Sequence, residues 1–587
     1  MPVTLTEDYI DLTLEGVEFV PYRLDGPPSP CHPLPQLRKG GSKEPRSLRS
    51  LILENDLLSL TLLPDLGGRV LRLLDKRTGR DFLPWPPTLE LHEGSHRGLW
   101  LNDGIRFLVG DTKASARNLD LAPVEYQLRE AQDEDSPGMV LCFELLPGGA
   151  ASWQGGVTLY PDRAEILIEF SLINRTRQML DIDTGLALPI EGALWSREDG
   201  SFGWSDGDGK ALWIFCEPAQ GSAHQGPHSL LLRPRAEESP LLPHEVFSWS
   251  VRLAPYTGLG RVQDASRSGG LGRKEEQLIL QSSEGLEKAS LRLETADGSF
   301  AAEASLNPMV PFAANLSALP AIQSLTLPGD IPLRWGASEC SSVSLGRASR
   351  SAWRSSEKET GSDESLFLAG WNTGAIPSFP SNPALTSAWH LARAEAHVRE
   401  ESWAMADKEA DQSLILNGED SLAWWLKSVI RRKMGESERP ELLNAHYLTP
   451  LEPLLRAESF LQQGGAGTKE GSPMTLRLAK NPDLGLECID QILSLGLTME
   501  AGMLMDEILR HDEIGLVRLM LAWSLLTKSR MEAEAARHLS IFEKNQVMPP
   551  LPARPREIQA VQELHARFPA LERLREMAHL AHPRSIG

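Results

Sequence analysis

A glutamate at position 191 sits in Leu188-Pro-Ile-Glu-Gly-Ala-Leu-Trp195, behind an apolar run and ahead of Trp195 and Trp204. A carboxyl group among apolar and aromatic neighbours stays protonated to higher pH because burial disfavours its charged form, which is what a general acid needs. The same glutamate also reads as an edge-strand residue in solvent. Histidines come in two pairs, His92/His96 and His224/His228, each four residues apart. On a helix that spacing would align two metal ligands. Both pairs fall in Gly-, Ser- and Pro-containing stretches read as loops, so no metal is expected, and His92, His96 and His228 suit ligand hydroxyls or proton transfer instead. Fifteen tryptophans against six tyrosines is an unusual ratio. Indole rings stack on the C–H faces of sugars, so Trp85, Trp100, Trp153, Trp195, Trp204, Trp213 and Trp249 suit a carbohydrate cleft; they equally suit a sandwich core. Finally, Leu63-Pro-Asp-Leu-Gly-Gly-Arg69 places two glycines and an arginine between two strand-like runs. The glycines fit a backbone turn with positive φ. Arg69 either holds that turn or reaches a ligand.

These residues need elements to position them. From residue 1 to 260, short apolar runs alternate with turn residues. In Arg163 to Asn174, Ile166, Ile168, Phe170 and Leu172 alternate with Glu165, Glu169 and Ser171, the period of two of a half-buried strand. Many such strands with few helical stretches between them predict packed antiparallel sheets. Residues 261–372 open with the Gly/Ser-rich basic stretch SRSGGLGRKEE, read as a linker, and continue as a smaller β-sandwich. Residues 380–587 change to helical periodicity. Alanines spaced by four, among them Ala388, Ala392, Ala406 and Ala410, allow two helices close approach, and Gly435 fits a helix C-terminus. Met499-Glu500-Ala501 recurs as Met531-Glu532-Ala533, an offset of 32 residues that predicts helix-turn-helix repeats of the tetratricopeptide kind.

The chain of 587 residues is too long for one core and implies several domains. A net charge of −21 argues against a nucleic-acid partner, because phosphate contacts need a basic footprint. Five cysteines lie far apart, with neither zinc-ligand spacing nor a disulfide framework. The acidic start MPVTLTEDYIDLTLEG does not read as a signal peptide, and no apolar run approaches the ~18 residues that span a bilayer. A cytoplasmic protein without membrane attachment is the expectation, with no cofactor.

The run Leu-Pro-Asp-Leu-Gly-Gly-Arg69, a strand, and then Asp75-Lys-Arg-Thr-Gly-Arg-Asp-Phe82 resembles the N-terminal signature of galactose-mutarotase-like domains. It is most similar to a poorly characterised bacterial family in which such a domain precedes tetratricopeptide repeats. Arg97-Gly-Leu-Trp-Leu-Asn-Asp-Gly-Ile-Arg-Phe107 resembles that family's Trp-x-x-Gly-Gly-Ile-Glu-Phe segment, Ile173-Asn-Arg-Thr176 resembles its strand end, and Leu242-Pro-His-Glu-Val-Phe-Ser-Trp249 with Leu253-Ala-Pro-Tyr-Thr-Gly-Leu-Gly260 resembles its closing strand. The resemblance spans residues 45 to 260 and implies an antiparallel β-supersandwich with a carbohydrate pocket on its concave face. In mutarotase-like enzymes it implies a carboxylate and a histidine flanking the sugar; in related hydrolases, two carboxylates. Arg106 stands where the family carries its glutamate, and an arginine cannot take up a proton at neutral pH. Asp103, three residues earlier, is one replacement, though Asn102-Asp103-Gly104 is also a common turn composition.

Two functional readings follow. In the first, a carbohydrate-active enzyme, either hydrolysing a glycosidic bond or epimerising a sugar, uses Glu191 and Asp103 as acid and base, with Arg69, His92, His96, Trp100, Arg106, Trp195, Trp204 and His228 orienting the sugar. Arg69 and Arg106 would also suit an anionic sugar. In the second, a non-catalytic sandwich binds a glycan or is vestigial, while the helical repeats hold a protein partner.

Overall fold

This computed structural model describes residues 3–19, 37–83, 85–86, 88–94, 98–101, 103–111, 121, 123–129, 139–145, 151–175, 177, 179–180, 182–190, 192–197, 199–217, 222–225, 230–233, 241–295, 298–316, 322–328, 332–335, 339–340, 342–344, 371, 378–380, 383–436, 440–449, 452–462, 478–547 and 550–582. Its amino-terminal half is antiparallel β-structure almost throughout, and its carboxy-terminal part is helical.

Two sheets form the main sandwich. One has nine strands, in the order Glu125–Arg129, Met139–Leu145, Ala151–Leu159, Ile166–Asn174, Val246–Tyr256, Ala211–Glu217, Phe202–Ser205, Ala193–Ser196, Glu339–Cys340. The other has five, in the order Ser342–Ser344, Ser222–Gln225, Leu230–Arg233, Ile182–Leu188, Arg106–Asp111. The period-two reading holds in the strand Ile166–Asn174: Ile166, Ile168, Phe170 and Leu172 are buried while Glu169 faces solvent. The sheets meet through aromatic rings. Phe107 of the smaller sheet stacks on Trp153 of the larger at 5.1 Å, and Trp153, Phe170 and Trp249 continue the row. A further six-stranded sheet, built around Thr4–Phe19, Leu37–Glu54, Leu58–Leu63 and Arg69–Asp75, adds its leucines to the same core.

A second, smaller pair of four-stranded sheets follows, packed around Leu271, Leu280, Leu291, Leu306 and Leu325. The Gly-rich stretch expected as a linker is a strand here, Gly269–Lys274. Its glycines allow close packing: a Cβ on Gly270 would lie 2.7 Å from the Tyr256 ring, and one on Gly272 would lie 2.2 Å from the Leu259 carbonyl oxygen. The chain then returns to the first sandwich. Glu339–Cys340 pairs with Ala193–Ser196, and Ser342–Ser344 pairs with Ser222–Gln225, so the expected cut at residue 260 is crossed by later strands.

The helices run as a stacked series from Thr386–Arg399 and Trp403–Leu416 to Glu572–His579. The first two pack directly on each other, with Ala388, Ala392, Ala406 and Ala410 buried, as their spacing predicts. Helices Pro440–Leu448, Pro453–Gln462, Pro482–Ser494 and Pro555–Arg567 each begin with proline, whose missing N–H is no loss at that position. Gly435 ends the helix Ser421–Lys433 at φ 82. The Met-Glu-Ala copies do not share a register: Ala501 is buried, whereas Ala533 is exposed and Ala535 takes the inner position. Helices and sandwich are locked together by charge. Arg175 and Glu452 form an ion pair with both side chains fully buried, and Arg177 pairs with Glu395 at 2.5 Å.

Candidate functional site

The Gly-Gly-Arg stretch is the hinge of the site. Pro64–Leu66 forms one 3-10 turn, and Gly67 and Gly68 leave it at φ 70 and 69, a conformation open to residues without a Cβ. That turn delivers Arg69 into the interior, where it is 1 % exposed. Its Nε donates to the Leu66 carbonyl at 3.0 Å and its Nη1 to the Asp103 carbonyl at 2.8 Å, with the Leu101 carbonyl at 3.4 Å. Arg69 therefore holds the turn and fastens the Asp103 loop to it.

Asp103 lies between two elements fixed on either side. Before it, Leu99 and Leu101 of the strand Gly98–Leu101 are buried against Leu12, Leu14, Leu66 and Leu91. After it, Ile105 and Val70 exchange backbone hydrogen bonds at 2.8 and 3.1 Å, which ties the loop to the strand Arg69–Asp75. Gly104 sits at φ 75, and a Cβ there would approach the Val70 carbonyl oxygen to 2.5 Å. The Asp103 carboxyl is half-buried. Burial pushes its pKa up, opposed by the Arg69 guanidinium and by His92, and assisted by Glu90. Sequence reasoning missed Glu90; its signal was the position two residues before His92, the same side of an extended chain.

His92 is exposed on the strand Leu91–Gly94, in register with Trp100 on Gly98–Leu101. The Glu15 carboxylate accepts a hydrogen bond from the Leu91 N–H at 2.7 Å and anchors this hairpin. Arg106, intermediate in burial, pairs with Ala187, one position before the inward Phe107. The same cross-sheet row runs on through Leu231 to His224 and Ser342. Thus Asp103, His92 and Arg106 are carried by neighbouring elements. His92 and His224, expected in loops, are both in strands.

Other expected residues fall elsewhere. Trp195 and Trp204 are 3 % and 2 % exposed: their strands pair with each other, their rings lie in the core, and no face is left for a sugar. Trp153, Trp213 and Trp249 are buried likewise. Trp85 is partly exposed, with the Arg72 guanidinium 6.0 Å from its ring. His96, His228 and Glu191 lie outside the described residues, as does the side chain of Trp100; on either side of Glu191, Ile190 and Gly192 mark where the chain crosses from the five-stranded to the nine-stranded sheet. Cys216 is buried, its thiol pushed up to about 12 by burial alone, which makes it a packing residue and no nucleophile at neutral pH. Among the described residues no group of three or more His, Cys, Asp or Glu is placed to hold a metal ion, and no helix is long and apolar enough to cross a membrane.

Residues 36–169, which include the Gly-Gly-Arg turn, Asp103 and Arg106, match the family described as "Domain of unknown function (DUF5107)". Among solved structures the chain is similar to a TPR-domain containing protein from Parabacteroides distasonis, at 12% identity and TM-score 0.36, over 96% of this chain and 95% of that one. It is also similar to a galactose mutarotase-like protein from Clostridium acetobutylicum, at 10% identity and TM-score 0.26, over 36% of this chain and 96% of that one. A third likeness is to an alpha-mannosidase from Enterococcus faecalis, at 10% identity and TM-score 0.26, over 53% of this chain and 49% of that one.

Proposed function

We propose that the amino-terminal sandwich is a carbohydrate-active site in which Asp103 carries the exchangeable proton. The observation behind this reading is the Asp103 carboxyl itself: half-buried, raised by burial, on a backbone clamped by Arg69, with His92 and Glu90 in its electrostatic surroundings. Chemistry at a glycosidic or hemiacetal carbon needs a carboxyl group that gives and takes a proton near neutral pH, and partial desolvation is how a protein provides one. His92 offers a second titratable group beside it. Arg106 adds a fixed cation on the next strand, suited to a sugar bearing a carboxylate or phosphate. Glu191 is the proposed second carboxylate; glycosidic chemistry uses two carboxyl groups roughly 5 to 10 Å apart.

A thermal-shift panel of neutral sugars, uronates and sugar phosphates on the full chain tests the reading, with turnover assays on every sugar that stabilises it. A raised melting temperature with at least one sugar, lost in Asp103→Asn, supports it. No shift with any sugar overturns it. Binding without turnover, in both the native chain and Asp103→Asn, reduces the sandwich to a glycan-binding module.

A further inference from the structure

Where the closing strand of the sandwich meets the first helices, the two parts enclose a crevice of about 380 Å³, a volume typical of small-molecule sites. About half of its lining is aliphatic, from Leu242, Val246, Pro383 and Leu416, and the rest is polar, including Thr386, Ser387 and Asn417. Its charged groups are the carboxylates of Glu245 and Glu419, and the described lining residues include no lysine or arginine. The only described aromatic ring facing it is the His244 imidazole, so there is no broad platform on which a sugar would stack.

His244 is held there at a price in both backbone and solvation. It adopts φ 58, a left-handed conformation rarely taken by a residue with a Cβ. Its ring is 8 % exposed and stacks on Trp371 at 5.2 Å. Its Nδ1 faces Oδ2 of Asp420 at 3.5 Å, and neither atom makes a hydrogen bond. The other Asp420 oxygen is fixed, accepting from the Leu422 and Ala423 N–H groups to cap the helix Ser421–Lys433. The two atoms face each other at the limit of hydrogen-bonding reach, so a small approach would pair them. Glu245 is placed by its Oε2, which accepts from the Leu242 N–H at 2.7 Å.

We propose that this crevice binds a small organic ammonium ion. The cationic head sits against the Glu245 and Glu419 carboxylates, and its alkyl portion lies on the aliphatic walls. An inward shift of a few tenths of an ångström on binding closes the His244–Asp420 contact into a hydrogen bond, so ligand and docking of helices on sandwich stabilise each other. The site is separate from Asp103 and independent of the carbohydrate reading.

Calorimetric titration of the full chain with n-butylammonium chloride tests it, with 1-butanol and sodium butyrate as neutral and anionic counterparts of equal length. The expected result is saturable one-to-one binding of the ammonium, none of the butyrate, and an affinity weakened about tenfold or more in Glu245→Gln/Glu419→Gln, in which both carboxylate contacts are lost. Glutamine at 245 keeps an acceptor for the Leu242 N–H; if the double variant nevertheless fails to fold, Glu419→Gln alone, at an exposed position, reads a smaller weakening in the same direction, the loss of one of the two contacts. No binding to the native chain, equal binding of all three compounds, or unchanged affinity in the variants overturns the proposal.

Discussion

Arg69 shows how one buried cation fixes the backbone that carries a neighbouring acid, Asp103. The guanidinium takes three backbone carbonyls, one of them belonging to Asp103. Arg69→Ala leaves those acceptors unsatisfied and opens a void, and we expect a loss of about 3 kcal/mol in urea unfolding. Asp103→Asn acts in the opposite sense. A carboxyl whose pKa is raised on folding binds more protons in the native state, so its contribution favours folding at low pH and is lost as pH rises from the unfolded value through the raised native one. The asparagine variant should therefore lose that dependence and melt no lower than the native chain at pH 7, while losing sugar binding; melting curves at pH 4 and pH 7 check it. A lowered melting temperature at pH 7 would mark Asp103 as a structural turn residue. Sequence alone left Arg69 open between turn and ligand because the deciding partners, at 101 and 103, reach it only through the fold. The tryptophans misled for the same reason: Trp195 and Trp204 look alike in a cleft or a core until their strands are paired.

At the scale of elements, the alternation of Ile166 to Leu172, the proline starts of the helices and the alanine spacings are local signals, and the structure repeats them. The three glycines of 266–276 suit a linker by composition; Tyr256 and the Leu259 backbone, packed against Gly270 and Gly272, impose a strand instead. Gly104 is the comparable position at the site. Gly104→Ala places a Cβ 2.5 Å from the Val70 carbonyl oxygen and forces an unfavourable φ, so it should cost about 1 to 3 kcal/mol in chemical denaturation and loosen the Asp103 loop. His244 gave no sequence signal at all, since the Asp420 it faces belongs to the helical part of the chain.

For the whole molecule, the contact between sandwich and helices rests on ion pairs that have left water. Glu452→Ala strands the Arg175 guanidinium in the interior, an effect of about 3 to 5 kcal/mol. Scanning calorimetry should then show a lower first transition separating from the rest, and Arg175→Met combined with Glu452→Leu should restore much of the loss.

The outermost strands Glu339–Cys340 and Ser342–Ser344 cover Ala193–Ser196 and Ser222–Gln225 in two sheets whose other described members all lie before residue 257. A fragment that stops after the first sandwich would carry two open ladders of unpaired N–H and C=O groups, a template for self-association. A fragment that stays monomeric is therefore expected to extend past residue 344, with the small sandwich lying in sequence between strands of its larger neighbour.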